Sequence, residues 1–328
     1  MQPARQEAVV VLNRRGALAM TARAAIAGLP AILRGAGRPR RRSARLRYQV
    51  ELPDAEASAL LLWLPVPQSD ENQVIEDLRF AVGAPHQIHT GSYGNRYLFA
   101  AVRPRQTVTM EFHVTRAERS TVLAGSRPMA APDCCLAPDR LVPVDGKIRQ
   151  WAQEVIRNAQ ARSDLEKARA IYEYIVDTVK YDKSGKGWGR GDIYYACDAR
   201  RGNCTDFHAI FIGYARAVGI PAKFAIGVPL PPGRDSGEIA GYHCWAEFFA
   251  PGVGWVPVDA SEAAKDPSRR KYFFGTLDEH RVEFSKGRDL VLSPAHAAGP
   301  INFFVYPHVE HGGRPVSNEI TRITCHPA

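Results

Sequence analysis

Long apolar runs are scarce in this chain. Outside one stretch near the start, Ala17 to Leu33, nothing stays apolar for the roughly eighteen residues a membrane helix needs, so no transmembrane span is expected in the body. Cysteine is also sparse: six residues among 328, irregularly spaced, exclude a disulfide scaffold. No Cys-x-x-Cys pair occurs, which removes the commonest structural zinc pattern. Glycines 185, 187, 189 and 191 lack the Gly-Lys-Ser/Thr that opens a helix in a phosphate loop, so no nucleotide is called for. Acidic residues are almost missing from the first 47 positions, which hold eleven arginines and only Glu7. The net charge of +9 therefore lies in that flank, and the rest of the chain is close to neutral. The run Arg38 to Arg47 contains no aromatic residue to stack on bases, so it reads as a solvated flank. Nucleic acid is not an expected partner of the folded body.

What is present divides the chain into four parts. Residues 1–43 are a basic segment in which Asn13-Arg-Arg-Gly-Ala-Leu-Ala19 precedes the apolar stretch, as in a twin-arginine export signal. Arg23 interrupts that stretch, and no clean small-x-small cleavage site follows it. An export signal would place the mature chain in the periplasm or outside the cell; without it the chain stays cytoplasmic. Residues 44–130 alternate with period two, as in Arg45-Leu-Arg-Tyr-Gln-Val-Glu-Leu52 and Thr107 to Thr115, with Gly, Pro and Asn in the gaps. That pattern predicts a small β-sandwich. His86, His89 and His113 are scattered through it as strand or surface residues. Residues 131–147 read as a linker. From 148 onward, Ile148, Trp151, Val155 and Ala159 share a helical face. Ser163-Asp-Leu-Glu166 is a capping box for a second helix. The short strand-like runs within 263–328 are expected to extend or brace this last part.

Chemistry concentrates in one stretch, Arg201-Gly-Asn-Cys-Thr-Asp-Phe-His-Ala-Ile-Phe. Asn203 is a good N-cap, and Phe207, Ile210, Phe211, Tyr214 and Val218 recur at helical spacing, giving one buried face. Cys204 then sits in the first turn, where free amides and the helix dipole favour a thiolate. Asp206, in the same turn, is expected to accept from backbone amides at the cap. Downstream, Gly241-Tyr-His-Cys-Trp-Ala-Glu-Phe-Phe, a Pro251-Gly-Val-Gly254 turn and Trp255-Val-Pro-Val-Asp259 predict a hairpin. Folded about residue 251 it would set His243 opposite Asp259. Cysteine as nucleophile, histidine as base and a carboxylate as orienter form a known working set.

Gly-Asn-Cys-Thr-Asp-Phe-His, Gly-Tyr-His-Cys-Trp-Ala-Glu and Gly-Trp-Val-Pro-Val-Asp, in this order and spacing, resemble the three core motifs of the transglutaminase-like superfamily. The resemblance covers roughly Trp151 to Glu262. It implies an α+β fold: a papain-like core of helices on an antiparallel sheet, here preceded by the small β-sandwich. It also implies a Cys204-His243-Asp259 triad acting on amide bonds of a peptide or protein, as in bacterial transglutaminase-like cysteine peptidases. No cofactor and no metal are expected. The amide of Cys204 is the first expected oxyanion donor, and Trp188 is a candidate second. Trp188, Tyr194 and Tyr195 either line the cleft or pack in core and lid.

Other readings stay open at this point. The acyl acceptor could be water or an amine, giving hydrolysis or glutamine cross-linking. The fold could also serve as a non-catalytic peptide-binding module with a blocked cleft. A zinc site would have to draw on Cys204 and His208 with Cys197, His243 and Cys244, although Cys244 is expected on the opposite strand face from His243.

Overall fold

The computed structural model describes residues 38–56, 58–121, 133–317 and 319–328. The twin-arginine pair, the apolar stretch and the first residues of the expected linker lie outside them.

Period-two alternation gives six strands in the first third: β1 (Arg41–Glu51), β2 (Leu60–Val66), β3 (Gln73–Ala81), β4 (His86–Thr90), β5 (Arg96–Val102) and β6 (Thr107–Ala117). In β1, Ala44, Leu46, Tyr48 and Val50 are buried and the residues between them are not. β6 pairs with both β1 and β3, and β5 with both β2 and β4, all antiparallel. The apolar faces of the two sheets share one core through Leu46, Tyr48, Leu62, Leu98 and Phe112.

The central part contains β7 (Arg119–Ser120), α1 (Gly146–Asn158), α2 (Asp164–Thr178), β8 (Lys180–Tyr181), α3 (Ile193–Ala199), β9 (Arg201–Gly202) and α4 (Cys204–Ala217). It continues with β10 (Ala222–Pro229), β11 (Gly237–Glu238), β12 (His243–Ala250), β13 (Gly254–Val258), α5 (Ala260–Lys265), β14 (Thr276–Leu277) and β15 (Arg281–Lys286). Strands β13-β12-β10-β15 form an antiparallel sheet, with α4 laid on it and α1, α2 and α3 around α4. All fourteen residues of α4 are buried, not one face as the spacing alone suggests. A helix enclosed by sheet and helices must be sheltered all round. Even Arg216 is inside, bonding Asp139 at 2.9 Å and the carbonyls of Ala137 and Ala222. Where β10 meets β15 the register shifts at Gly227, and a Cβ there would lie 1.7 Å from the Val282 carbonyl oxygen. Only glycine permits that approach.

The chain then turns back. β16 (His308–His311), β17 (Arg314–Pro315) and β18 (Ile320–His326) join the first third: β16 pairs with β2, and β18 with β1. The tail therefore completes the sandwich, while β15 extends the helix-bearing sheet. The end of the basic flank is ordered as strand, with Arg41, Arg45 and Arg47 on the exposed positions of β1, as a solvated run requires. Arg40 bonds Glu118 at 2.9 Å and Tyr272 at 2.8 Å, and Arg42 meets His280 at 2.9 Å.

One buried ion pair ties the segment after the sandwich to the sheet under α4. Glu247 of β12 has no exposed side-chain surface, and Arg119 of β7 grips it with two bonds of 2.6 and 2.8 Å while Lys223 lies 3.1 Å away. Burial alone would raise this carboxyl's pKa, but the Arg119 and Lys223 charges override it and hold it far below the usual range. Because the folded value is depressed, the stabilisation is complete above the unfolded glutamate value of about 4.3 and is lost as pH falls below it. Arg119→Ala is expected to cost about 3 kcal/mol at neutral pH in urea unfolding, with the deficit shrinking in acid.

Candidate active site

The start of α4 is built by two reciprocal caps. The Asn203 side chain accepts from the Thr205 amide at 2.9 Å, and Asp206 accepts from the Asn203 amide at 2.9 Å. These bonds leave the amide of Cys204 free at the helix mouth. Asp206 also accepts from the amides of Gly189 at 2.7 Å and Gly191 at 3.1 Å, so it binds backbone N–H groups as expected. The glycine loop is thereby pinned beside the helix start. Gly191 has φ +62°, and a Cβ there would press within 2.8 Å of the Thr205 methyl. Tyr242 closes the clasp: its hydroxyl lies 2.9 Å from Asn203 Nδ2 and 2.8 Å from Thr205 Oγ1.

The β12–β13 hairpin turns one step later than the symmetric reading. Ala246 faces Val258 and Ala250 faces Gly254, so Asp259 falls opposite Trp245 and reaches His243 diagonally. His243 Nε2 lies 2.7 Å from Asp259 Oδ2. Asp259 is fully buried and doubles as the N-cap of α5. Its Oδ1 accepts from the Ser261 hydroxyl at 2.9 Å and the Glu262 amide at 3.0 Å, and its Oδ2 accepts from Arg281 at 2.7 Å. With Nε2 committed to Asp259, His243 keeps Nδ1 for a further partner, and it lies near enough to Cys204 for its charge to lower the thiol pKa.

The electrostatics of this line are one-directional. Burial pushes the Asp259 pKa up, but His243 and Arg281 hold it well below the carboxylate range. Burial would discharge His243, but the Asp259 charge and the bond to Cys204 push its pKa up to about 10. Burial likewise opposes ionisation of Cys204, but hydrogen bonds from Cys244 and His243, with the imidazolium charge, bring its pKa well below the thiol range. Both shifts act in the direction of a thiolate beside an imidazolium.

Sequence reasoning missed several neighbours. Arg281 arrives from a strand whose local pattern carries no sign of the site. Cys244 faces α4, as strand alternation requires, and this brings it to Cys204, 3.7 Å from His208 Nδ1 and 3.8 Å from Thr205 Oγ1. Its own thiol stays protonated: burial and the Cys204 charge push its pKa well up. Tyr181, Tyr242 and Tyr306 lie near enough to Cys204 for a thiolate to make their phenols harder to ionise, although burial dominates in each. Trp188 is half-buried in the glycine loop with Lys183 over its ring. Tyr194 packs edge-on against Trp151, and Tyr195 lies beside Gly187. All six cysteines are free thiols.

Residues 149–260 match the model of the transglutaminase-like superfamily. Over those residues the sequence is that of a transglutaminase-like core. An uncharacterized protein of Haemophilus influenzae is 27% identical, over 83% of this chain and 86% of its own. A Cytophaga hutchinsonii structure, described as a candidate cysteine protease, superposes with TM-score 0.53 at 18% identity, covering 88% of this chain and 100% of that one. The periplasmic domain of TgpA from Pseudomonas aeruginosa gives TM-score 0.36 at 17% identity, over 73% of this chain and 97% of its own. Among the described residues, no helix is long and apolar enough to cross a membrane.

A thiolate–imidazolium pair requires a pH between the depressed pKa of Cys204 and the value of about 10 for His243. Alkylation of Cys204 by iodoacetamide, followed by peptide mass mapping, should therefore be nearly flat with pH through neutrality. His243→Ala should restore a rise near the free-thiol value of about 8.5.

Proposed function

We propose that the transglutaminase-like core is a thiol-dependent amidase that hydrolyses amide bonds in peptides or proteins. One observation carries the reading: a buried, fully bonded Asp259 lies 2.7 Å from His243, while Cys204 sits at the mouth of the sheltered helix α4.

The thiolate attacks the carbonyl carbon of the scissile amide, and the developing oxyanion meets the unclaimed amide of Cys204. His243 then gives its proton to the leaving amine as the C–N bond breaks, which leaves an acyl thioester on Cys204. Water, deprotonated by the now neutral His243, attacks the thioester; the acid leaves and the thiolate returns. Asp259 acts through His243, fixing the ring and stabilising its charge. Arg281, Ser261 and the Glu262 amide act one step further out by keeping Asp259 ionised and still.

The binding-module reading draws on a different observation. Cys204 is 1% exposed and His243 7% exposed, so a substrate must displace part of the cover to reach the sulfur. Exposure to a set of activated esters and peptides, read by intact mass, separates the readings. A hydrolase gains the acyl mass on Cys204 and loses it to water; a cross-linker loses it only to an added amine; a binding module never gains it. For the hydrolase, Cys204→Ala abolishes the adduct, and Asp259→Asn lowers kcat by roughly 10³-fold or more.

A further inference from the structure

A second cluster of ligand-type side chains lies in the sandwich and shares no residue with the Cys204 site. His296 is in the loop between β15 and β16, and His308 and Glu310 alternate along β16 so that both project from one face. One ligand atom from each of the three lies within 4.8 Å of the others. His296 is 9% exposed, and neither of its ring nitrogens has a hydrogen-bond partner. A buried polar group left unpaired is costly, so two such nitrogens on one ring call for an occupant between them and a neighbour. The ring is held in place by packing, edge-on to His308 with centroids 5.1 Å apart and to Trp63 at 6.1 Å.

Glu310 is 2% exposed, and the ion pair formed by its carboxylate is with His308 Nε2 at 2.9 Å. Backbone amides of Ala297 and Ala298 hold the carboxylate at 2.9 to 3.0 Å, in the same loop that carries His296. Trp63 Nε1 donates to the Pro294 carbonyl at 3.1 Å and anchors the start of that loop. Two imidazoles and one carboxylate, aimed together from rigid supports, form the nitrogen and oxygen donor set of a divalent first-row transition ion with an open position. The amides on Glu310 supply the outer support that such ligands need.

We propose that His296, His308 and Glu310 bind one divalent transition-metal ion of the zinc class. The ion occupies the unpaired His296 nitrogen, replaces the proton shared by His308 and Glu310, and fastens the β15–β16 loop to the sandwich. No metal is expected from the sequence in this region; eleven residues separate His296 from His308, far from any short metal motif.

The full chain, stripped with chelator and dialysed, is titrated with zinc against a chromophoric chelator and then with cobalt. The site predicts one equivalent and a Tm rise of about 5 °C at a hundredfold excess over Kd. It also predicts a cobalt spectrum without thiolate charge-transfer absorption. His296→Phe keeps the ring packing and removes no hydrogen bond, so it should keep the metal-free Tm and lose both the equivalent and the rise. Glu310→Gln retains an acceptor for the loop amides and should lose them too. Absence of binding, an equivalent that survives in both variants, or a thiolate band would overturn the site.

Discussion

The carboxylate of Asp259 carries its charge with no contact to water, and its surroundings are arranged to keep it there. An isolated carboxylate in that position would take up a proton. Arg281, Ser261, the Glu262 amide and His243 together fill its acceptor positions. They come from three pieces of architecture: Arg281 from β15, Ser261 and Glu262 from the first turn of α5, and His243 from the start of β12. The charge on His243 follows from Asp259, and the ionisation of Cys204 follows from His243. The electrostatic state of the thiol is thus set two residues away, by a group that never meets it.

This dependence gives the fold its purpose. The helix α4 is sheltered on all sides, so its first turn is as fixed as the core itself. The sheet beneath it presents His243 from β12 and Arg281 from β15, with β10 between them. Glu247, two strand positions beyond Trp245, anchors the same β12 through Arg119 to the segment leaving the sandwich. The sandwich in turn is closed by strands from the far end of the chain. Loosening either connection would reach the site through strand position, since a diagonal contact of 2.7 Å between His243 and Asp259 tolerates little slippage.

Local sequence carries the parts whose signals are local. Asn203 and Asp206 announce the cap, Ser163 and Glu166 announce the second helix, and alternation announces the sandwich strands. The three short motifs name Cys204, His243 and Asp259 because each sits at the end of an element with a clear boundary. What the sequence hides depends on pairing at a distance. Nothing in Arg281-Val-Glu-Phe-Ser tells which strand it will lie beside, so Arg281 is invisible as a partner of Asp259. β18 looks like any alternating strand, and only the fold shows that its partner is β1. The glycine loop that carries Trp188 shows no local sign of its anchor, because Asp206 holds it through the backbone amide of Gly189. His296 meets His308 and Glu310 only because the loop folds back over β16.

The central claim is that His243 rests as an imidazolium because Asp259 is buried and ionised. The most direct measurement is nitrogen-15 NMR of the histidine rings in the intact protein, with His243 assigned by its substitution. At neutral pH both ring nitrogens of His243 should carry protons, and the charge should titrate away only as pH approaches about 10. Asp259→Asn should return the ring to its neutral form at neutral pH. A His243 ring that is already neutral in the unaltered protein, with one bare nitrogen, would contradict the account.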